Sequence, residues 1–110
     1  MLKKPAKIVA DFNQEFNLPT NQSFENMKFY ALELAGEVGE LANIIKKMWR
    51  SGESEELRGE LKEEAADVLI SYLLFLNASG IDIEAAFEEK IEKLRIKFAH
   101  RKNMDPMKEW

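Results

Sequence analysis

The segment from Ser23 to Arg50 constrains the fold of this chain most, because its apolar residues recur at alternating intervals of four and three. Such spacing is typical of an α-helix that packs lengthwise against another helix. The apolar residues are Met27, Ala31, Leu34, Val38, Leu41, Ile45 and Met48. Ser23 is a suitable N-cap, and Ser51-Gly52 is a helix-ending pair. The segment therefore predicts one long helix within a helical bundle.

Two further segments, one near each end of the chain, have helical spacing. The first runs from about Pro5 to Phe16 and ends before polar residues around Pro19. Its apolar residues are Ile8, Phe12 and Phe16. The last begins after the N-cap candidate Asp82 and fades near Arg101. Its apolar residues are Phe87, Ile91, Leu94 and Phe98.

The remaining segment runs from about Ser54 to Asn77 and ends at Gly80. Its second half, VLISYLLFL, is apolar on nearly every side and by itself fits a buried strand, but the helical lead-in from Leu57 favours a helix. A helix that is apolar all round must be covered all round, which in a short chain indicates a subunit interface. The predicted fold is all-α, a four-helix-bundle-type subunit with an extensive helical oligomer interface.

Length and composition predict a single cytoplasmic domain. The 110 residues divide into an N-terminal helix and loop (1–22), core helices (23–101) and an irregular tail (102–110). The absence of cysteine excludes a disulfide scaffold and fits a reducing compartment. We see no signal peptide and no apolar run of the ~20 residues that span a membrane. A net charge of −4 argues against nucleic acid as a partner.

Acidic pairs three residues apart are the candidate chemical groups. The chain contains five, namely Glu37/Glu40, Glu53/Glu56, Glu60/Glu63, Glu64/Asp67 and Glu89/Glu92. Each pair alone is most simply a solvated helix face, because the chain is acidic throughout.

Two of these pairs, Glu37/Glu40 and Glu64/Asp67, have no Lys or Arg three or four residues away and lie beside apolar stripes. Carboxylates in that setting have raised pKa values or bind a cation. If their helices pack together, the four carboxylates converge into an oxygen-rich site suited to Mg²⁺ or Mn²⁺. Glu60 and Glu63 also lack basic neighbours and flank this site.

Two glycines, Gly36 and Gly39, lie beside Glu37 and Glu40 and weaken the predicted helix. Because glycine has no Cβ, they predict close approach of a neighbouring helix or a ligand to the backbone.

Histidine-containing metal sites fit the sequence poorly. A di-iron bundle needs Glu-x-x-His pairs on two helices, whereas the single histidine, His100, follows Lys97 by three residues. With no cysteine, a zinc site is equally unsupported. His100 is most simply a surface residue at a fading helix end.

The stretches LAGEVGELANIIKK and EEAADVLISYLLFLNASGIDIEAAFEEKIEKL resemble the MazG-like, all-α nucleoside triphosphate pyrophosphohydrolase family. The family signature is E-x-x-E followed, one to two dozen residues later, by E-x-x-D. Glu37-x-x-Glu40 and Glu64-x-x-Asp67 match it across a spacer of 23 residues. The resemblance extends from about Asn26 to Phe98, and GEVGELA and ADVLI-x-YLL make it specific.

The resemblance implies hydrolysis of a nucleoside triphosphate between its α and β phosphates, releasing a monophosphate and pyrophosphate. It also implies Mg²⁺, with Mn²⁺ as a substitute, held by Glu37, Glu40, Glu64 and Asp67. Relatives assemble as dimers or dimers of dimers, which implies a homodimer or homotetramer here. Many relatives remove non-canonical or surplus nucleotides. Either Glu37 or Glu40 is the expected acceptor of the proton from the attacking water.

Further candidates concern the phosphates and the base. The phosphate candidates are Lys47, seven residues after Glu40 on the same helical face, Lys90, which matches a family lysine, and Lys97. Leu94 departs from the family, since relatives often carry asparagine there. Candidates for the base are Phe12, Phe16, Asn26, Lys28 and Trp49. For Phe12 and Phe16, packing in the core is the simpler interpretation, and for Trp49 a subunit interface is an equal alternative.

A second hypothesis belongs to another functional class. The chain could be a non-catalytic helical oligomer, acting as a nucleotide sensor or regulatory subunit, since its third helix already requires a partner. The intact set of four acidic residues argues for catalysis instead.

Overall fold

The computed structural model describes residues 3–16 and 22–102, without the side chains of residues 3 and 6. These residues form four α-helices, α1 (Lys3–Glu15), α2 (Phe24–Ser51), α3 (Glu55–Ser79) and α4 (Ile83–Lys97), and a short 3₁₀-helix, Ala99–Arg101. No strand occurs among the described residues, so the predicted all-α fold is confirmed. The irregular tail predicted beyond residue 102 lies outside them.

Short polar side chains fix where three helices begin. The Ser23 hydroxyl accepts a hydrogen bond from the Asn26 backbone N–H at 3.1 Å, and Ser54 accepts one from Leu57 at 3.1 Å. The Asp82 carboxylate accepts from Ala85 at 3.2 Å. Each bond satisfies one of the N–H groups that a helix leaves unpaired in its first turn. The predicted caps Ser23 and Asp82 are therefore confirmed.

The centre of the fold is a hairpin of α2 and α3, which pack against each other after the three-residue connection Gly52–Ser54. Buried and half-buried residues recur at intervals of three and four on both helices. We call these two rows the inner seams. On α2 the inner seam is Met27, Tyr30, Leu34, Glu37, Leu41, Ile44 and Met48. On α3 it is Leu57, Leu61, Glu64, Val68, Ser71, Phe75 and Ala78.

The predicted apolar stripe of α2 is partly wrong. Ala31, Val38 and Ile45 are exposed, and Tyr30, Glu37 and Ile44 take their places on the inward side. The error has a geometric cause, because apolar residues occupy two adjacent faces of α2 and intervals of three and four fit both.

The apolar second half of α3 is covered in part by the chain itself. Leu73 and Leu76 are buried although they lie off the inner seam, and α1 packs against α3 in addition to α2. Ile70 remains 43 % exposed. Helices α1 and α2 of the same chain therefore cover α3 on several sides. A subunit interface on α3 stays a prediction.

Helix α1 presents an unexpected face to the rest of the protein. Its predicted apolar residues lie on the outer side, with Ile8, Phe12 and Phe16 each more than half exposed, so the interpretation of Phe12 and Phe16 as core residues is wrong. Asn13 is instead the buried residue of α1, with 1 % of its surface exposed. Its Nδ2 atom has no hydrogen-bond partner. A buried amide donor without an acceptor destabilises the fold.

Contacts divide the chain into two compact units, Met1–Gly80 and Ile81–Trp110. In the second unit α4 has no fully buried residue, and Ile91, Leu94 and Phe98 are half-buried. The prediction of one domain over 1–110 stays a prediction.

Among the described residues no single helix is long and apolar enough to cross a membrane. By length and composition alone, α3 and α4 would be sufficient only if they were counted as one broken span.

Substitution by alanine should have opposite effects on the free energy of unfolding at two glycines of the α3 region. Gly80 has φ +70°, and a Cβ there would lie 2.7 Å from Gln22 Oε1, whereas Gly59 lies in the interior of α3 with open space around it. Gly80→Ala should lower the free energy of unfolding by about 1–2 kcal/mol, because L-residues are strained at positive φ. Gly59→Ala should raise it by about 0.5–1 kcal/mol, because alanine favours helix interiors.

Chemical denaturation of both variants measures these changes. Gln22 can yield, because the clash involves only the end of its flexible side chain. We therefore expect Gln22→Ala to restore little of the stability lost in Gly80→Ala. Changes of the same sign at both glycines would contradict the helix ends described above.

A third substitution tests the burial of Asn13. Asn13→Leu should raise the free energy of unfolding by about 1 kcal/mol, because it removes a buried donor that has no acceptor. Gln14→Leu, at the exposed neighbouring position, is the matched control and should give no such gain. Thermal unfolding of the two variants measures the difference, and an equal response would show that Asn13 is not buried.

Candidate metal centre

The centre of the hairpin is interrupted by two acidic residues. Glu37 is the one charged residue of the α2 inner seam, and Glu64 is the one charged residue of the α3 inner seam. The helical spacing that directs apolar side chains inward also directs these two carboxylates toward the opposite helix. Their position is thus a consequence of the same periodicity that makes the core.

Three carboxylates converge at this point. Glu37, Glu40 and Glu64 each offer one oxygen, and these three oxygens lie within 4.8 Å of one another. Glu37 and Glu64 are half-buried, whereas Glu40, three residues after Glu37, lies at the exposed edge. The predicted meeting of the acidic pairs of α2 and α3 is therefore seen for three of the four residues.

Two oxygens of this cluster are buried without a partner. Glu37 Oε2 and Glu64 Oε1 are shielded from water and accept no hydrogen bond. No Lys or Arg within residues 3–16 and 22–102 forms an ion pair with a carboxylate of the cluster. Ionised carboxylates are acceptors only, so these oxygens require a proton or a cation.

The crowding raises the pKa of the Glu64 carboxyl from 4.5 to about 7. The main cause is the hydrogen bond that the Glu64 carboxyl can donate to Glu37 only when Glu64 is protonated, which favours the protonated form. Loss of water around Glu64 and repulsion by the Glu37 charge come next, followed by smaller effects of Glu40. Without a cation, the cluster therefore retains a proton at a pH where an ordinary glutamate has lost it.

The donor set fits a hard divalent cation. Oxygens bound at about 2.1 Å around a Mg²⁺ ion lie at most about 4.2 Å apart, and these three lie within 4.8 Å of one another, so only a small adjustment would bring all three to one ion. Carboxylate oxygens are the ligands that Mg²⁺ and Mn²⁺ prefer. All three members of the cluster are glutamates. His100 is exposed, on the 3₁₀-helix.

The fourth predicted ligand, Asp67, lies outside this cluster. It is exposed and follows Glu64 by three residues on α3. Its role stays a prediction. The predicted flanking residues Glu60 and Glu63 are also exposed and outside the cluster.

The predicted close approach at Gly36 and Gly39 is not made by a helix of this chain. A Cβ built at either glycine meets no atom within 4 Å, so no described segment approaches them. That part of the interpretation is wrong.

The phosphate candidates are all exposed. Lys47 lies on α2, about 10 Å along the helix axis from Glu40 and on the same side. Lys90 and Lys97 belong to α4 in the second unit, and the Lys97 ammonium lies 5.4 Å from the centre of the Phe98 ring. Their contact with phosphate stays a prediction for all three.

The base candidates differ in surroundings. The Phe12 and Phe16 rings lie 4.7 Å apart on the outer side of α1, and Trp49 is 88 % exposed. Asn26 is half-buried, and its backbone N–H donates to the Ser23 cap. Lys28 is exposed and ion-paired with Glu25 at 3.0 Å. Three exposed aromatic rings are therefore available to a ligand or a partner.

Sequence reasoning identified every carboxylate of the cluster but missed Asn13 as a buried polar group. The indication available in the sequence was its position four residues after the apolar Val9, on the same side of α1.

The raised pKa of Glu64 predicts how the stability of the metal-free protein depends on pH. The folded state binds a proton at Glu64 more tightly than the unfolded chain does, so this stabilising contribution is fully present below pH 4.5 and disappears as pH rises to about 7. Glu64→Gln cannot lose that proton. In chelator, the stability of wild type relative to Glu64→Gln should fall between pH 4.5 and 7.

Denaturation at a series of pH values measures that difference. Glu63→Gln, on the exposed neighbouring residue, is the matched control and should follow the wild-type profile. A wild-type profile parallel to that of Glu64→Gln would show that the cluster does not retain a proton.

Comparison with known proteins agrees with this geometry. The family model described as the MazG nucleotide pyrophosphohydrolase domain matches residues 22–102, which include all three clustered carboxylates and most of the 110-residue chain. No curated protein and no solved structure matches the chain significantly. Because one family model covers the hairpin, its acidic cluster and α4, the chain belongs to the MazG nucleotide pyrophosphohydrolase domain family.

Proposed function

We propose that this protein is a Mg²⁺-dependent nucleoside triphosphate pyrophosphohydrolase that cleaves between the α and β phosphates. The observation that carries the proposal is the convergence of Glu37, Glu40 and Glu64 inside a MazG-family helical hairpin, with two buried oxygens unsatisfied. An acidic site of this kind repels a triphosphate unless a cation lies between them, so metal dependence follows from the same observation.

In this proposal Glu37 and Glu64 hold the cation, since their oxygens are buried and have no other partner. Asp67, three residues after Glu64, completes the set from the exposed side. When bound, a divalent cation offsets the charge of the phosphates and lowers the pKa of a coordinated water. Mn²⁺ is the expected substitute, because it accepts the same oxygen ligands.

Glu40 is the proposed proton acceptor. It is the exposed member of the cluster, whereas Glu37 and Glu64 each have a buried oxygen without a partner. Glu40 is therefore the carboxylate that an incoming water can reach. The reaction adds the elements of water across the α–β anhydride and yields a nucleoside monophosphate and pyrophosphate. The chain has no cysteine, and its one histidine lies outside the cluster, so direct attack by water is preferred to a covalent intermediate.

We assign the phosphates to Lys47 and the base to the exposed aromatic rings, and contact of Lys90 and Lys97 with phosphate stays a prediction from the family resemblance. Lys47 shares a side of α2 with Glu40, which directs an ammonium toward the same ligand. The paired rings of Phe12 and Phe16 offer an exposed apolar surface for stacking, and Trp49 and Asn26 are further candidates. Their exposure favours contact with a ligand or partner over core packing.

The proposed biological role is the removal of non-canonical or surplus nucleotides by a cytoplasmic homodimer or homotetramer. The exposed apolar residues of α1 and α2 support association, because large exposed apolar patches mark interaction surfaces. Nucleotide binding without turnover would favour the alternative of a regulatory helical oligomer.

A nucleotide panel tests the proposed reaction. The protein is incubated with Mg²⁺ and each standard and modified NTP or dNTP, and pyrophosphate and monophosphate are quantified. At least one nucleotide should give equal amounts of the two products. Glu40→Gln should lower kcat about a hundredfold or more, because the side chain that accepts the proton is lost.

Glu33→Gln is the matched control, since Glu33 is exposed on α2 about two turns before Glu40 and outside the cluster. It should retain wild-type turnover. Release of phosphate in place of pyrophosphate, or full activity of Glu40→Gln, would refute the reaction or the assigned residue respectively.

A further inference from the structure

The inward side of α1 has a polar residue at its most deeply buried position. Pro5, Val9 and Asn13 follow one another at intervals of four; the first two are half-buried, and Asn13 has only 1 % of its surface exposed. No residue in the described part of the chain accepts a hydrogen bond from its Nδ2 atom. Helix α1 contacts α3, and the residues that α3 buries off its inner seam, Leu73 and Leu76, have no hydrogen-bonding side chain. The fold thus encloses a donor without supplying an acceptor.

This orphaned donor is a cost that an apolar side chain would avoid. Burial removes the hydrogen bonds that the amide makes to water, and nothing in the described chain replaces them. Places where a chain breaks such a rule of folding are often functional, because the unsatisfied group is then available to a ligand. The Nδ2 hydrogens of Asn13 are in that position.

An aromatic surface lies beside Asn13 on the same helix. The helical backbone continues to Phe16, whose N–H donates to the Phe12 carbonyl at 3.0 Å. On an ideal helix Phe16 lies about 60° and Phe12 about 100° around α1 from Asn13, on one flank. Both rings are more than half exposed. At the same angles on the other flank are the exposed residues Ala10 and Gln14. Aromatic rings therefore border the amide on one flank only.

We propose that Asn13 determines which base the protein accepts, by donating its Nδ2 hydrogen bond to an oxygen or ring nitrogen at the edge of the base. The inference rests on the proposed function and adds the residue that distinguishes one nucleotide from another. A base has its hydrogen-bond acceptors along its edge and flat faces on which aromatic rings stack. An amide donor beside the rings of Phe12 and Phe16 matches both features.

Access to the buried amide requires α1 to move away from α3. In the closed arrangement Nδ2 has no partner, whereas in an open arrangement water or a base accepts its hydrogen bond. That hydrogen bond offsets part of the apolar contact that α1 loses on opening. Asn13 thereby lowers the free energy of opening and also binds the base that enters.

Binding of uncleavable nucleotides tests the proposal. The α,β-methylene triphosphates of adenosine, guanosine, cytidine and uridine have no α–β anhydride oxygen, so their affinities are measured without reliance on the proposed reaction. In calorimetric titrations with Mg²⁺ present, wild type should bind one of the four about tenfold more tightly than the weakest, because an unpaired amide discriminates against a base that cannot accept from it.

Two substitutions remove the donor in different ways. Asn13→Leu fills the space of the amide, and Asn13→Ala leaves it open, so weaker binding by both cannot result from obstruction. Each should weaken binding of the preferred base about tenfold and leave the weakest within about twofold of wild type. Gln14→Leu, at the exposed neighbouring position, is the control and should keep the wild-type preference. A purely structural role of Asn13 would change the affinity for all four bases equally.

The outcomes separate the possibilities. A base preference that both Asn13 variants lose and Gln14→Leu keeps supports the proposal. A preference that survives in either Asn13 variant overturns it, as does equal or absent binding of all four nucleotides by wild type. The same supporting result, obtained with a protein that releases no pyrophosphate from cleavable nucleotides, would support base recognition by Asn13 while refuting the proposed reaction.

Hydrogen exchange measures the movement of α1. The backbone amides of α1 should exchange about fivefold more slowly in Asn13→Leu than in wild type, because leucine gains no hydrogen bond when the helix opens. Gln14→Leu should exchange as wild type does. Equal exchange of α1 in wild type and Asn13→Leu would overturn the opening on which access to the amide depends.

Discussion

Glu37 and Glu64 meet across the seam between α2 and α3, where apolar residues would otherwise pack. Two half-buried carboxylates on facing helices repel each other and lose water, and the hairpin brings them together with Glu40 while leaving two oxygens unsatisfied. A protein without a use for that arrangement would be more stable with leucine at both positions. The elevated pKa of Glu64 is the direct consequence, and a divalent cation is the chemical group that removes both costs.

Helix α2 performs several tasks because different residue types occupy its different sides. One side packs on α3 and carries Glu37, the next carries exposed apolar residues such as Val38, Ile45 and Trp49, and a third presents Glu40 to solvent. Its length of 28 residues makes this division possible, since each row has room for six or more positions. Gly36 and Gly39 within it cost helix stability, although a Cβ at either position would contact no described part of the chain.

The parts of the fold that sequence could predict are those determined locally. Ser23 and Asp82 begin helices, and Gly52 and Gly80 end them, because capping depends on a few neighbouring residues. The acidic pairs were recognisable because they lack basic neighbours, and the family resemblance gave their roles.

The sequence alone could not determine which face of each helix is buried. Ile8, Phe12 and Phe16 form the more apolar side of α1, yet the side with Asn13 faces inward, since tertiary contacts decide which face is buried. Asp67 shows the same limit, because its position three residues after Glu64 does not determine where its side chain points.

Binding of Mn²⁺, followed by electron paramagnetic resonance near pH 8, tests whether the cluster is a metal centre. At that pH Glu64 is mostly ionised, since its pKa is about 7, and bound Mn²⁺ loses the sharp signal of the free ion. We expect saturable binding that Mg²⁺ displaces. Glu37→Gln and Glu64→Gln should each weaken it at least tenfold, while Glu33→Gln should bind as wild type does. Equal Mn²⁺ binding by all four proteins would contradict a metal centre at the seam.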